Sequence, residues 1–137
     1  MIYDCFTYFN EDLILDIRLN ILDEFVHKFV IVEATKDHAG REKKLNFKIN
    51  NFSKFKNKIN YIVVDDMPNI VNSFVREKVK YHENFMRENY QRNQIIKGIQ
   101  KACDNDLIIV SDVDEIPNLK KLKNLDFNKC TIFYQKF

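Results

Sequence analysis

The sequence predicts an α/β domain: a mostly parallel sheet flanked by helices. Three observations predict it. Residues 2–9 and 28–35 are both rich in aromatic and β-branched side chains, and a helical pattern lies between them. Strand, helix and strand within about 35 residues make a βαβ unit, because parallel neighbours need a long crossover. Two more runs of β-formers, residues 59–65 and 107–112, each end in acidic residues. A longer helical pattern over 84–103 separates those two runs, as a second crossover would.

The elements follow in order. The first strand, residues 2–9, is expected to hand over at Asn10, which reads as a helix cap. Glu11 and Asp12 then fall in the first turn, where the helix dipole favours acids. Ile14, Ile17, Ile21 and Phe25 recur at helical spacing and predict the buried face of a helix running to about Val26. Residues 28–35 form the second strand. Residues 36–44 read as a polar loop, with His38 as a surface histidine. Residues 50–58 read as a short helix burying Phe52 and Phe55. The third strand, 59–65, ends in Asp65 and Asp66. These could bind a metal or a ribose, but adjacent strand residues diverge, and a turn at Pro68 explains them better. Residues 70–81 read as a loosely patterned helix. In the helix over 84–103, Phe85, Arg92, Ile96, Ile99 and Cys103 fall on one stripe at 100° per residue. Arg92 therefore sits on the face that should meet the sheet and needs an anionic partner. Glu88, four residues earlier, is one; a ligand phosphate or the carboxylates ending the next strand are the others. A Lys-rich amphipathic segment (119–125) and a last strand (130–137) complete the chain.

Composition narrows the function. The chain has 137 residues, enough for one domain with a core. Its net charge is +2, with lysines spread among acids, so no nucleic-acid patch is expected. Two glycines exclude both a Gly-rich phosphate loop and a GxGxxG dinucleotide site. Cys5, Cys103 and Cys130 form no CxxC pair and are expected to be buried free thiols in a reducing compartment. No signal peptide and no membrane span is visible, which predicts a cytoplasmic location. Ending inside an apolar strand suggests that the chain is part of something larger. That strand could also pair with a second copy in a homo-oligomer.

The stretch Leu107-Ile108-Ile109-Val110-Ser111-Asp112-Val113-Asp114-Glu115-Ile116-Pro117 carries the chemistry. A buried strand runs into three carboxylates, and Pro117 ends the ladder. Strand alternation puts Asp112 and Asp114 on one side and Val113 on the other. Two acids side by side repel unless a cation lies between them. Mg²⁺ or Mn²⁺ would accept such oxygen ligands and hold a phosphate as well. A solvated acidic loop is the plain alternative.

Four ordered blocks then resemble glycosyltransferase family 17, the family of the β-1,4-mannosyl-glycoprotein β-1,4-N-acetylglucosaminyltransferase. They are Ile2-Tyr3-Asp4-Cys5-Phe6 through Phe9-Asn10-Glu11 with Ile17-Arg18-Leu19, then Phe29-Val30-Ile31-Val32-Glu33-Ala34-Thr35. Arg87-Glu88-Asn89-Tyr90-Gln91-Arg92-Asn93 follows, and Ser111-Asp112-Val113-Asp114-Glu115-Ile116-Pro117 closes the set. The resemblance implies a GT-A, Rossmann-like fold over residues 1–137, a single nucleotide-sugar-binding domain. It implies UDP-N-acetylglucosamine or a related UDP-sugar as donor, a glycan or glycoprotein as acceptor, and inversion at the anomeric carbon. It implies Mn²⁺ or Mg²⁺ as cofactor, with Asp114 as direct ligand and Asp112 supporting the metal or the ribose. Arg92 and Asn93 would lie near the diphosphate or donor sugar. Phe9, Asn10 and Glu33 would shape the nucleoside pocket. The family is longer than this chain, so the chain is expected to stop before the acceptor-binding part, and no residue is assigned as general base. Two rivals differ in class. A haloacid-dehalogenase-type phosphatase also places Asp-X-Asp after a strand, but needs a downstream Lys and acidic pair. A nucleotide-sugar-binding module would bind donor without turnover.

Overall fold

The computed structural model describes residues 1–69, 77–124, 130 and 132. Four strands form one parallel sheet: β1 (Ile2–Thr7), β2 (Lys28–Ala34), β3 (Ile59–Val64) and β4 (Leu107–Val110), in the order β3-β2-β1-β4. Among the described residues three α-helices accompany them: α1 (Asp12–Leu22), α2 (Glu77–Asn93) and α3 (Ile95–Gly98). The fold is the expected α/β class with a Rossmann-like parallel sheet. Of the strand expected over 130–137, all but residues 130 and 132 lie outside the described residues. So does most of the helix expected over 70–81, of which only the end falls inside α2.

The central strands explain the order. β1 pairs β2 with Cys5 beside Val30, and pairs β4 with Cys5 beside Val110. Phe29 to Ala34 are all buried, because a strand covered on both faces and both edges must be apolar nearly throughout. β3 and β4 flank the pair and are partly exposed. One face of the sheet carries Phe6, Tyr8, Phe29, Ile31 and Ile109, packed against Leu15, Leu19 and Leu22 of α1. Two 3₁₀ turns joined by a kink at Phe52, together Ile49–Phe55, cover the same face with Phe52 and Phe55. Phe47 stacks on Phe52 at 5.6 Å and leans on Tyr61 at 4.6 Å. The opposite face carries Tyr3, Cys5, Val30, Val32 and Ala34, under Ile95, Ile99 and Tyr90.

Helix α1 differs from expectation in cap, length and face. The cap position is Glu11, not Asn10, and its carboxylate accepts hydrogen bonds from the backbone N–H groups of Phe9 and Asn10. The helix stops at Leu22 rather than near Val26. Its buried residues are Leu15, Arg18, Leu19 and Leu22; of the expected face, Ile14 and Phe25 pack partly buried against the core, while Ile17 and Ile21 are exposed. The helix is rotated because Arg18 must reach Asp4, which the first strand buries on this face. An unpartnered buried carboxylate costs far more than leaving two isoleucines in water.

The helix expected over 84–103 is broken. α2 ends at Asn93, and α3 begins at Ile95. The buried side is Arg87, Gln91, Ile95 and Gly98, whereas Phe85 and Ile96 are exposed at 56% and 63%. Gln91 turns inward to donate from Nε2 to the Val32 carbonyl at 3.0 Å. Gly98 lets the backbone lie directly on β2, since a Cβ there would sit 2.3 Å from Val30 Cγ1. Asn60 Nδ2 donates to the Gly98 carbonyl at 2.9 Å, tying the end of α3 to β3.

The thiols are only partly as expected. All three are free, but Cys103 and Cys130 are exposed and Cys5 alone is buried. Cys103 falls after α3 has ended, so no helix carries it into the core. Burial pushes the Cys5 thiol up to about 12, the Asp4 charge adds to this, and Arg18 offsets part of it.

Two outcomes follow from this packing. Gly98→Ala forces a methyl into stiff, buried Val30 and should destabilise the domain by about 1–3 kcal/mol, read from the urea midpoint. A thiol reagent at pH 8 should modify Cys103 and Cys130 rapidly and Cys5 only after denaturation, read by intact mass. Rapid native labelling of all three would contradict the buried position of Cys5.

Candidate functional site

Topology locates the site. The chain adds β2 and β3 on one side of β1, then returns to place β4 on its other side. The helices on the two sides of this reversal lie on opposite faces, so a crevice opens at the carboxyl ends of β1 and β4. Residues 8–10 follow β1 there, residues 111–115 follow β4, and the end of α2 lies beside them.

β4 stops at Val110, so Asp112 and Asp114 stand on a turn rather than on the strand itself. Asp112, Asp114 and Glu115 are exposed and Val113 is buried, so Val113 faces away from the acids although strict strand alternation ends at Glu115. The turn is held from inside by Arg18, whose side chain is fully buried beside an equally buried Asp4. Arg18 donates from Nε and Nη2 to the two Asp4 carboxylate oxygens at 2.8 and 2.7 Å. Its Nη1 donates to the carbonyls of Asp112 (2.7 Å), Val113 (3.1 Å) and Glu115 (3.1 Å). Its Nη2 also reaches Ser111 Oγ at 2.7 Å. The guanidinium lies over the Phe6 ring, 4.6 Å from its centroid. On the outer side, Glu115 Oε2 accepts from the Asp112 N–H at 3.2 Å.

Arg92 has both of the protein partners that its position allowed. Its Nη2 donates to Asp112 Oδ1 at 2.8 Å and to Glu88 Oε1 at 3.1 Å. It is partly exposed rather than sealed against the sheet. Asn93, the last residue of α2, is exposed.

The other expected residues gather at the ends of β1 and β2. Phe9 is 46% exposed, and Asn10 is exposed beside it. Lys43 Nζ sits 5.1 Å from the Phe9 ring centroid. Asn46 Nδ2 donates to the Phe9 carbonyl. Glu33 is fully buried, and its two oxygens accept from Lys43 Nζ (2.6 Å), Asn46 N–H (2.7 Å), Phe47 N–H (3.1 Å) and Tyr61 OH (2.8 Å). That carboxylate is spent on the protein: it anchors the segment 43–47 that frames the pocket. Burial, with the Glu33 bond, raises the Tyr61 phenol above its usual range.

A cavity of about 260 Å³ opens beside Phe9, lined also by Lys36, His38, Arg41, Lys43 and Gln91. Its loop is well held. Gly40 takes φ +82° and lies against the Arg87 guanidinium, while Arg87 Nη1 donates to the His38 carbonyl at 3.1 Å. Burial opposes ionisation of Asp37, but hydrogen bonds from the Arg41 N–H and guanidinium outweigh it and hold the carboxyl below its usual range. His38 Nε2 meets Gln91 Oε1 at 3.1 Å, so the histidine is a structural link between loop and helix. Asp65 and Asp66 are exposed after β3; the bond to Asp66, followed by burial, raises the Tyr90 phenol.

Among the described residues, no three His, Cys, Asp or Glu side chains gather into a ready-made cation cage. Asp112 and Asp114 nonetheless supply hard carboxylate oxygens, the donor type that Mg²⁺ or Mn²⁺ shares with substrate phosphates and water. The donor set fits such an ion shared with a ligand, not one caged by protein alone.

Sequence reasoning passed over the Asp4–Arg18 pair, Lys43, and the buried roles of Arg87 and Gln91. A signal existed for the first. Asp4 interrupts an apolar strand, and Arg18 lies among Leu15, Leu19 and Leu22 on one helical stripe. Opposite charges embedded in two buried faces ask for each other.

Glu33→Ala would leave Lys43 nearly buried without its carboxylate and strip two backbone N–H groups of their acceptor. The expected cost is about 3–5 kcal/mol, measured by chemical denaturation.

Comparison with known protein families matches residues 1–134 to glycosyltransferase family 17. Comparison with curated proteins and with solved structures returns no match. The family match covers nearly the whole chain, and it agrees with a Rossmann-like sheet whose switch-point crevice carries Asp-Val-Asp. The chain therefore belongs to glycosyltransferase family 17, and its activity is glycosyl transfer.

Proposed function

We propose that the chain binds a UDP-sugar, with UDP-N-acetylglucosamine the first donor to test, and takes part in inverting, metal-dependent transfer to a glycan or glycoprotein acceptor. One observation carries the reading. Two exposed carboxylates stand on a rigidly held turn at the topological switch point, with Arg92 bonded to one of them. A crevice at the carboxyl ends of parallel strands is where open α/β sheets take nucleotides.

The residues divide the work. Phe9, half-exposed at the end of β1, offers an aromatic surface beside the cavity for a planar base. Asn10, exposed next to Phe9 in the chain, adds a polar side chain there, and Glu33 keeps segment 43–47 in place. Asp114 and Asp112 would hold Mn²⁺ or Mg²⁺, which when bound neutralises charge on the departing diphosphate. Arg92 and Asn93 lie at the end of α2, beside the same turn. Arg92 brings a fixed positive charge that its bond to Asp112 aims at the crevice. A planar guanidinium suits phosphate oxygens better than an ammonium would.

The test is calorimetric titration of UDP-N-acetylglucosamine with Mn²⁺, repeated with EDTA and with Asp112→Ala and Asp114→Ala. Binding should weaken by more than about tenfold on chelation and in each variant. Equal affinity with and without metal, in the wild type and both variants, would end the metal-dependent donor reading.

A further inference from the structure

We propose that Arg18 is a positioning residue: through the buried Asp4–Arg18 pair it sets the conformation of the 111–115 turn that presents Asp112 and Asp114. The claim about the turn stands on geometry alone. Its consequence for donor binding rests on the function proposed above.

The pattern of donors makes the case. A guanidinium has five N–H groups in a fixed plane, and Asp4 satisfies two of them in a fork-to-fork arrangement. If pairing a buried charge were the whole purpose, the remaining donors could have gone to any nearby acceptor. All of them go to one turn: the carbonyls of Asp112, Val113 and Glu115, and Ser111 Oγ. Ser111 Oγ then shares its single proton between the Asp112 and Glu115 carbonyls at 3.2 and 3.1 Å. Three carbonyls converging on one buried cation fix the peptide planes of the turn. With those planes turned inward and Val113 packed in the core, the Asp112 and Asp114 side chains are left facing water. Four residues of regular strand precede the turn, and β4 ends one residue before it. The ladder's last bond on this side, from the Ser111 N–H to the Cys5 carbonyl at 3.3 Å, stops short of the acids, and Arg18 binds the carbonyls beyond it.

Lysine separates this role from simple charge pairing. Arg18→Lys keeps a cation opposite Asp4 but has one compact ammonium that cannot span Asp4 and three carbonyls together. Should Arg18→Lys fail to fold, the double variant Asp4→Leu/Arg18→Met removes both charges at similar volume, a replacement that buried pairs tolerate. Two readouts are needed on the folded protein, with folding checked by circular dichroism. Amide hydrogen exchange should show protection at Glu115 and Ile116 lost by more than about tenfold, with β1 and β2 protection retained. Mn²⁺-dependent UDP affinity should fall by more than about tenfold, while the weaker binding left in EDTA stays unchanged. Unchanged exchange at Glu115 and Ile116 in a folded variant would overturn the proposal, and so would wild-type Mn²⁺-dependent affinity. If the wild type binds no UDP with Mn²⁺, the donor reading fails by itself and the exchange experiment alone decides the role of Arg18.

Discussion

A guanidinium sealed from water is tolerated only when its charge is matched and each N–H finds an acceptor, and Arg18 meets both conditions with residues from three parts of the chain. Asp4 comes from the first strand, Arg18 from the first helix, and the acceptors at 111–115 from the turn after the last described strand. The pair therefore does more than join two neighbours. It fixes the rotation of α1 on the sheet, so that Leu15, Leu19 and Leu22 enter the core and Ile17 and Ile21 do not. It also couples the beginning of the chain to the turn that bears the exposed acids. Removing either charge alone would strand the other in a dry interior, which is why both must be kept or lost together.

The sheet order turns that local clamp into a site. With β1 flanked by β2 on one side and β4 on the other, the crossovers must lie on opposite faces, and their departure leaves a cleft at the carboxyl ends. The cleft collects groups distant in sequence: Phe9 and Asn10, the 36–43 loop with its cavity, Arg92, and the Asp112 turn. Glu33 plays for the loop side the part that Arg18 plays for the acidic side. Each is a buried charge whose bonds converge on one irregular segment, and each gives that segment the rigidity that hydrogen-bonded ladders give to strands. The family assignment and this geometry agree on glycosyl transfer as the activity, with a sugar donor and an acceptor as partners. Among the described residues, no helix is long and apolar enough to cross a membrane.

Helix faces were the least legible part. The stripe through Phe85, Arg92 and Ile96 lies off the buried one: Arg87, Gln91, Ile95 and Gly98 keep helical spacing across the break after Asn93 and take the inward positions. A glutamine that pairs a strand carbonyl, or a glycine that seats against a valine, carries no hydropathy signal. The α1 face was misjudged for a related reason. Isoleucines at helical spacing looked like core, whereas a charged residue held the central buried position. Hydrophobic periodicity counts apolar side chains and is blind to a polar one whose partner is elsewhere.

Taken alone, the sequence determined the class of fold, the four strands of the described sheet, and the acids that follow β4, though it placed Asp112 on the strand itself. Alternation, β-branching and Pro117 are local signals, and local signals survive without knowledge of partners. It also named the anions open to Arg92, Glu88 one helical turn earlier and the carboxylates after β4, although the inward face on which that reading placed Arg92 belongs to Gln91. Tertiary structure decided which anions those were, with Glu88 and Asp112 both taken. It decided that Glu33 is a buried anchor, that Cys103 lies in water, and that Arg18 reaches 94 residues along the chain to hold the Asp112 carbonyl. Such pairings depend on which elements become neighbours in the sheet, and strand order is set by the packing of both faces at once rather than by any single stretch of residues.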